Sequence, residues 1–286
     1  NQVSFDFKGL LLKILSYWKW FLLSLIIALI IAYQVNIRKE KIYQMETLIS
    51  VKEESNPLFT SNTSLTFNWG GVSDQMQTIS TTLQSRSHNE LVVNELNFFI
   101  DYFIKTDYYY KDVFGQIPFK IIPNKSENQL YNSFIAVKLL DQNTYQISIP
   151  FETTSTNVIK YSNNSVQPLK VNASTFTKRY RVGEIVALPF LNWKLELDSN
   201  VPFKIGEEVL IRFKSFDETV NRFKSINVEI DDKATSILRL RMEGTNKNRL
   251  VDYINTTVDV LIKNQLNNNP PNFYFPLKNV TAYVDL

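Results

Sequence analysis

The 286 residues carry 31 basic and 28 acidic side chains, a formal charge of +3 with the basic residues scattered, which excludes an electrostatic nucleic-acid binder. There is no cysteine and a single histidine, His88, so a disulfide framework, a thiolate metal site and almost every histidine-based triad or zinc site are excluded. Seven glycines, none in a GxxxxGK(S/T) or GxGxxG arrangement, leave no phosphate loop.

At the start of the chain, Leu10, Leu11, Ile14, Leu15 and Trp18 share one face of a helix and Lys13, Ser16 and Lys19 lie on the other. That is the pattern of an interfacial segment over residues 1–16. From Trp20 to Val35 there is no charged residue. With Ile14, Leu15, Tyr17 and Trp18 the apolar stretch reaches roughly 20 residues, about 30 Å of helix, which matches a bilayer core. Residues 17–37 are therefore predicted to span a membrane, with Trp18, Trp20 and Tyr33 in the two aromatic belts. A secretory signal sequence is the alternative, but the run is long for one and no small-x-small cleavage pattern follows it. A buried core helix rarely lacks charge for so long. Lys8, Lys13 and Lys19 before the span balance Arg38, Lys39 and Lys41 after it, so charge alone leaves the orientation open.

Ile42 to Val51 alternates apolar and polar residues and reads as a strand. A polar loop follows from Glu53 to Gly71. Met76, Ile79, Leu83, Val92, Val93, Leu96, Phe99, Ile100 and Phe103 then keep a helical period from Asp74 to about Phe103. Ser85 to His88 interrupts this stripe, which reads as a bend or a solvated face rather than a binding role for His88. Short strands come next, at Phe119–Ile122, Phe134–Lys138 and Thr144–Ile149, parted by turns at Pro123-Asn124 and Asp141-Gln142-Asn143. Thr153 to Ser174, crowded with Asn and Ser, reads as loops and edge strands. Val186–Leu188, Asn192–Leu197 and Val209–Phe213 are further strands.

Ser215 to Glu218 fits a capping box, with Phe216, Val220 and Phe223 behind it. Ile226 to Ile230 alternates, and Asp231-Asp232 reads as a turn. In the next strand Leu238, Leu240 and Met242 face one way and Arg239 and Arg241 the other. Thr245 can cap a last helix that carries Leu250, Ile254, Val258 and Leu261. The fold class is thus α+β: an N-terminal transmembrane helix followed by a mixed domain with added β-strands. No residue is a credible catalyst. Asp231-Asp232 and Glu207-Glu208 are turn or solvated charge, since adjacency in sequence does not oppose two carboxylates in space.

The order of segments resembles the Wzz-type polysaccharide co-polymerases, including the ectodomains of bacterial tyrosine autokinases of exopolysaccharide synthesis. The residues that carry it are Phe5-Asp6-Phe7 and Leu10-Leu11, the strand from Ile42, and the helix with Leu83 to Ser87 and Val92 to Leu96. Tyr108 to Phe119, closed by Pro118-Phe119, continues it, as do Ile226 to Val228, Ser236 to Leu240 and the helix from Asn246 to Gln265. The resemblance implies a bacterial inner-membrane protein with a cytoplasmic start and an extracytoplasmic domain over 38–269, most of the chain being periplasmic. It implies a homo-oligomer that acts beside a polysaccharide polymerase or export machinery, in contact with membrane lipid, with no nucleic acid, cofactor or metal. Arg86 and Arg249, on predicted helices with exposed polar faces, are the candidate oligomer contacts. Family members continue the last helix into a coiled-coil section and a second span. Here Asn267 to Pro271 stops the helix, and the connection of 270–286 is left open. The autokinase branch also carries a phosphate loop and a tyrosine cluster, and neither occurs in this sequence. A single-span glycan-binding or adhesion module, with Trp69, Trp193 and the tyrosines stacking on sugars, is the competing class, although core packing explains these rings more simply. A sensor ectodomain is the third.

Overall fold

The structure, a computed structural model, describes residues 16–50, 72–199, 201–202, 206–231, 234–268 and 279–281. The interfacial segment before residue 16, the polar loop with Trp69, the second half of the Asp231-Asp232 turn and the Pro270-Pro271 stop lie outside the described residues.

Two compact units divide the chain. One groups Asn1–Lys41 with Thr106–Tyr109, and the other holds Ile42–Lys105 and Tyr110–Leu286. The first contains helix α1, Trp18–Asn36. Its 19 residues rise about 28 Å at 1.5 Å each, and none is buried, as an apolar helix meant for lipid requires. In the same unit the Arg38 guanidinium lies 5.9 Å from the centre of the Tyr108 ring.

The second unit is built on three sheets. The first is four-stranded and antiparallel: β14 (Asn227–Asp231), β15 (Ala234–Gly244), β1 (Tyr43–Ser50) and β16 (Asn279–Thr281), in that order. β1 pairs β15 with Thr47 opposite Leu240 and Ile49 opposite Leu238, although about 190 residues separate them in the chain. Period-two alternation puts Met45, Thr47, Ile49, Leu238, Leu240 and Met242 on one face, all buried. The opposite face carries Glu46, Leu48, Arg239 and Arg241. Helices α2 (Val72–Leu83) and α5 (Lys247–Asn268) cover the apolar face, and α3 (Arg86–Leu96) packs against α5 and α4 (Phe216–Phe223).

Between α3 and α4 the chain builds two further sheets. One runs β10 (Thr175–Arg181), β7 (Thr144–Pro150), β6 (Ile135–Leu139), β13 (Glu208–Phe213), β2 (Ile100–Lys105), β3 (Tyr110–Asp112). The other runs β11 (Ile185–Leu188), β12 (Leu191–Leu197), β5 (Gln129–Leu130), β8 (Ser155–Lys160), β9 (Ser165–Lys170), with β4 (Phe119–Pro123) also on β12. Alternation drives the inward residues of β6, β7 and β13, and Leu191, Trp193 and Leu195 of β12, below 4 % exposure, so the two sheets share one apolar interior. Trp193 stands there against Phe213, ring centres 5.8 Å apart, and is 1 % exposed. Core packing, not sugar stacking, accounts for it.

The structure corrects the long helical stripe. Asn97 adopts φ 51°, a left-handed cap that ends α3. Phe98 and Phe99 form the turn, while Ile100 and Phe103 belong to strand β2. Two apolar registers, adjacent in sequence, imitate a single one. The Asn- and Ser-rich stretch contains the hairpin β8–β9, turned at Asn164 with φ 54°, and β9 is an edge strand as expected. The Asp141 turn closes β6–β7: its carboxylate accepts the Asn143 and Thr144 amides at 2.7 and 2.8 Å and the Thr144 hydroxyl at 2.6 Å. These donors, led by the Thr144 hydroxyl, hold the Asp141 carboxyl below its ordinary pKa. Ser215 caps α4 by accepting the Glu218 amide at 3.4 Å.

Leu240 is fully buried against the helices. Leu240→Ala is expected to cost roughly 2–5 kcal/mol. Arg239→Ala, on the other face, should cost less than about 1 kcal/mol. Urea unfolding of the full chain in detergent micelles checks the pair; equal midpoints for wild type and Leu240→Ala would overturn the burial.

Candidate functional site

Three places bear on function: the apolar helix, the α3–α4 surface at Arg86, and the core of the second unit at Arg249. Trp18 and Trp20 near the start of α1, and Tyr33 near its end, are 57, 70 and 65 % exposed. Indole and phenol rings are amphipathic, and such positions near the ends of an apolar helix are where they meet a bilayer's interfaces.

Arg86 opens α3 and is about half exposed. Its Nε donates to Glu90 at 2.6 Å, one turn on, and its Nη2 bonds the Asp217 carboxylate of α4. Both partners raise its pKa, Glu90 first. The pair ties the first turns of two helices together on the surface, where water screens it.

Arg249 corrects the sequence reading. It does not lie on an exposed face: it is 3 % exposed. Asn246, immediately before α5, accepts the Arg249 amide through Oδ1 at 3.0 Å, so Asn246 rather than Thr245 is the helix cap. That cap aims the Arg249 side chain into the β-strands. Nε donates to Asp112 Oδ2 at 3.0 Å, Nη2 to the Ile100 carbonyl at 3.3 Å, and Nη1 to the Phe98 carbonyl at 3.5 Å. Asp101 Oδ1 lies 3.9 Å from Nη2. The guanidinium carbon sits 4.4 and 4.9 Å from the ring centres of Phe114 and Phe98. Asp101 also holds Arg212 at 3.0 Å and Lys214 at 3.3 Å, and Asp112 accepts from Asn246 and the Phe114 amide. The buried charges of Arg249, Asp101 and Asp112 are matched by opposite charges, so their chemistry is structural: they lock α5 to β2, β3 and β13.

The Tyr-rich block closes the same hub. Gly115 takes φ 68°, and a Cβ there would meet Asn248 Nδ2 at 2.9 Å, while Asn248 donates to the Gly115 carbonyl at 2.8 Å. Asp101 and Asp112 were missed in the sequence. A signal existed: Asp101 interrupts Phe98-Phe99-Ile100 and Tyr102-Phe103, and a carboxylate within such an apolar run needs a buried partner.

His88 is 2 % exposed, so it does not sit on a solvated face, although the bend between α2 and α3 is real. Its Nε2 pairs with Thr257 Oγ1 of α5 at 2.8 Å. Burial pushes its pKa down to about 4. Beside it, the Tyr253 hydroxyl donates to Asn89 and, at 3.1 Å, to the Phe223 carbonyl, so one phenol links α3, α4 and α5.

Arg249→Met would leave the buried Asp112 carboxylate without its cation and is expected to cost about 3–5 kcal/mol in chemical denaturation. Arg86→Ala should hardly move the midpoint. A His88 pKa below its unfolded value means that folding excludes a proton. The stability this contributes is whole above pH 6.5 and is lost as pH falls toward 4, by up to about 3 kcal/mol. His88→Gln should flatten that part of the pH profile relative to wild type; identical profiles from pH 7 to 4 would refute the assignment.

A search of curated proteins finds no match. Residues 3–96, about a third of the chain, match the family model of Wzz, the chain length determinant protein. The matched stretch contains α1, β1, α2 and α3, and β1 is paired in the antiparallel sheet with β15. An apolar helix of spanning length lies within the matched stretch, as in a membrane-anchored protein, and the likeness to the Wzz chain length determinant covers the N-terminal third of the chain.

Proposed function

We propose that the protein is a polysaccharide co-polymerase, which influences the length or export of a surface polysaccharide by assembling as a homo-oligomer beside a membrane polymerase. The observation that carries this reading is the continuity of the Wzz match from the membrane helix through β1 into α2 and α3. In this reading residues 1–16 are cytoplasmic, 17–37 cross the inner membrane, and 38–269 are extracytoplasmic. Trp18, Trp20 and Tyr33 seat the helix in the lipid interfaces. The protein supplies surfaces rather than chemistry. A helix in the bilayer confines the second unit to a thin layer next to the polymerase, which raises its effective concentration there without any new contact. Head-to-tail copies in a plane then close into rings. Arg86 is the proposed subunit contact; Arg249, enclosed in its own fold, is not.

Two measurements test this. The chain contains no cysteine, so single cysteines can be introduced cleanly. An impermeant thiol reagent on spheroplasts is expected to label Gln142→Cys and to spare Ser4→Cys; the reverse pattern would invert the orientation. Deletion of the gene should alter the length distribution or yield of a surface polysaccharide while repeat-unit synthesis continues, and His88→Ala should complement it. An unaltered polysaccharide, together with a monomer in detergent, would refute the co-polymerase reading.

A further inference from the structure

At one end of the two β-sheets, the exit of β7, the β9–β10 connection and the β11–β12 turn enclose a cleft of about 560 Å³, within the size range of small-ligand sites. Phe151, Phe176 and Phe190 line it. Phe190 meets the other two edge-on, with ring centres 5.2 and 5.4 Å apart. All three pack against the core yet stay half-buried, so each keeps part of its ring for the cleft. The polar wall is Lys170, Asn172, Ser174 and Thr175, all exposed. Among the described residues none of these four side chains has a hydrogen-bond or ionic partner, in contrast to the paired Arg249.

The walls are fixed before anything binds. Phe176 pairs Ile149 in the β7–β10 register, the Phe151 amide donates to the Ser174 carbonyl at 3.3 Å, and the Val171 amide to the Thr154 carbonyl at 3.0 Å. Phe190 lies in the tight turn between Leu188 and Leu191, which are themselves paired. A ligand here therefore pays little to organise its site.

We infer that this cleft binds a short segment of glycan, stacking C–H faces of sugar rings on Phe176 and Phe190. Its hydroxyls bond Asn172, Ser174 and Thr175, and Lys170 faces an acidic substituent. The mixed lining favours this occupant. An apolar protein segment would bury the amide and hydroxyls without partners, which is costly, and a purely polar one would leave the phenyl rings unused. A pyranose ring offers an apolar face and a rim of hydroxyls at once. The inference rests on the proposed polysaccharide role, and it assigns a function to the strands between α3 and α4. They hold the growing chain while the membrane helix and the Wzz domain hold the assembly.

The test uses the full chain in nanodiscs. The probe is a hexasaccharide fraction released by mild acid from the host cell's own surface polysaccharide, with isomaltohexaose as a neutral comparison. Calorimetric titration should show binding of the host fraction that weakens roughly tenfold or more in Phe190→Ala and roughly five- to tenfold in Asn172→Ala. Lys170→Ala should weaken binding of acidic fragments and lose its salt dependence. Asn172 and Lys170 are exposed, so these two variants keep the wild-type melting curve and report on the cleft even if Phe190→Ala unfolds. Absence of binding by wild type, or equal binding by Asn172→Ala, Lys170→Ala and wild type, would overturn the inference. The deletion phenotype separates the two claims: altered chain length without binding sinks only the cleft. Binding lost in the variants, with chain length unaltered by deletion, sinks only the co-polymerase reading.

Discussion

A buried arginine dictates much of how this fold is put together. Arg249 is enclosed by Asp112, Asp101, two backbone carbonyls and two phenyl rings, and it is the cation that holds the Asp112 carboxylate inside. A charge taken out of water survives only when partnered, so helix α5 has one position in which the pair Asp112 and Arg249 is tolerable. That position fixes the α5 face that meets β1 and β15, and through Asp101 it also fixes β13, whose Arg212 and the following Lys214 share the same carboxylate. Apolar packing alone would allow α5 to slide by a fraction of a turn. Matched charges do not.

The hub stands where two constructions meet within the second unit. One is the sheet β14-β15-β1-β16 with helices on one face; the other is the pair of sheets inserted between α3 and α4. β2 leaves α3 through the Asn97 cap, and β13 returns to α4 through the Ser215 cap, and these two strands pair each other directly. An insertion whose first and last strands are neighbours disturbs its host little, because the chain leaves and re-enters at one place. Tyr161 strengthens this junction by donating its hydroxyl to the Lys214 carbonyl at 2.6 Å while stacking on Phe99 at 3.9 Å.

The outward face of the first sheet is charged rather than apolar. Glu46 bridges Arg239 and Arg241 at 2.9 and 3.1 Å across the β1–β15 pair. Such ladders leave a strand face hydrated and specific, and they discourage the indiscriminate edge and face contacts to which an apolar sheet is prone. For a protein held at a membrane, where neighbours are concentrated, that property opposes aggregation.

The sequence by itself determined what depends on local periodicity. The apolar run at Trp20 to Val35, the alternation of β1 and β15, the strands β4, β6, β7, β12 and β13, and the capping box at Ser215 are all legible because each pattern lies within one element. Tertiary structure decided whatever depends on residues far apart in the chain. Arg249 read as a solvated helix position because its carboxylates lie some 140 residues earlier, and the burial of His88, at what read as a bend or a solvated face, depends on Thr257, 169 residues later. The helix that ended at Asn97 rather than Phe103 belongs with them: helical and strand periods overlap over a few residues, and only a backbone able to turn left-handed at Asn97, with β13 waiting to pair Ile100, chooses between them. The cleft of Phe151, Phe176 and Phe190 has no sequence signature at all, since three rings from three separate places in the chain meet only where two sheets end together.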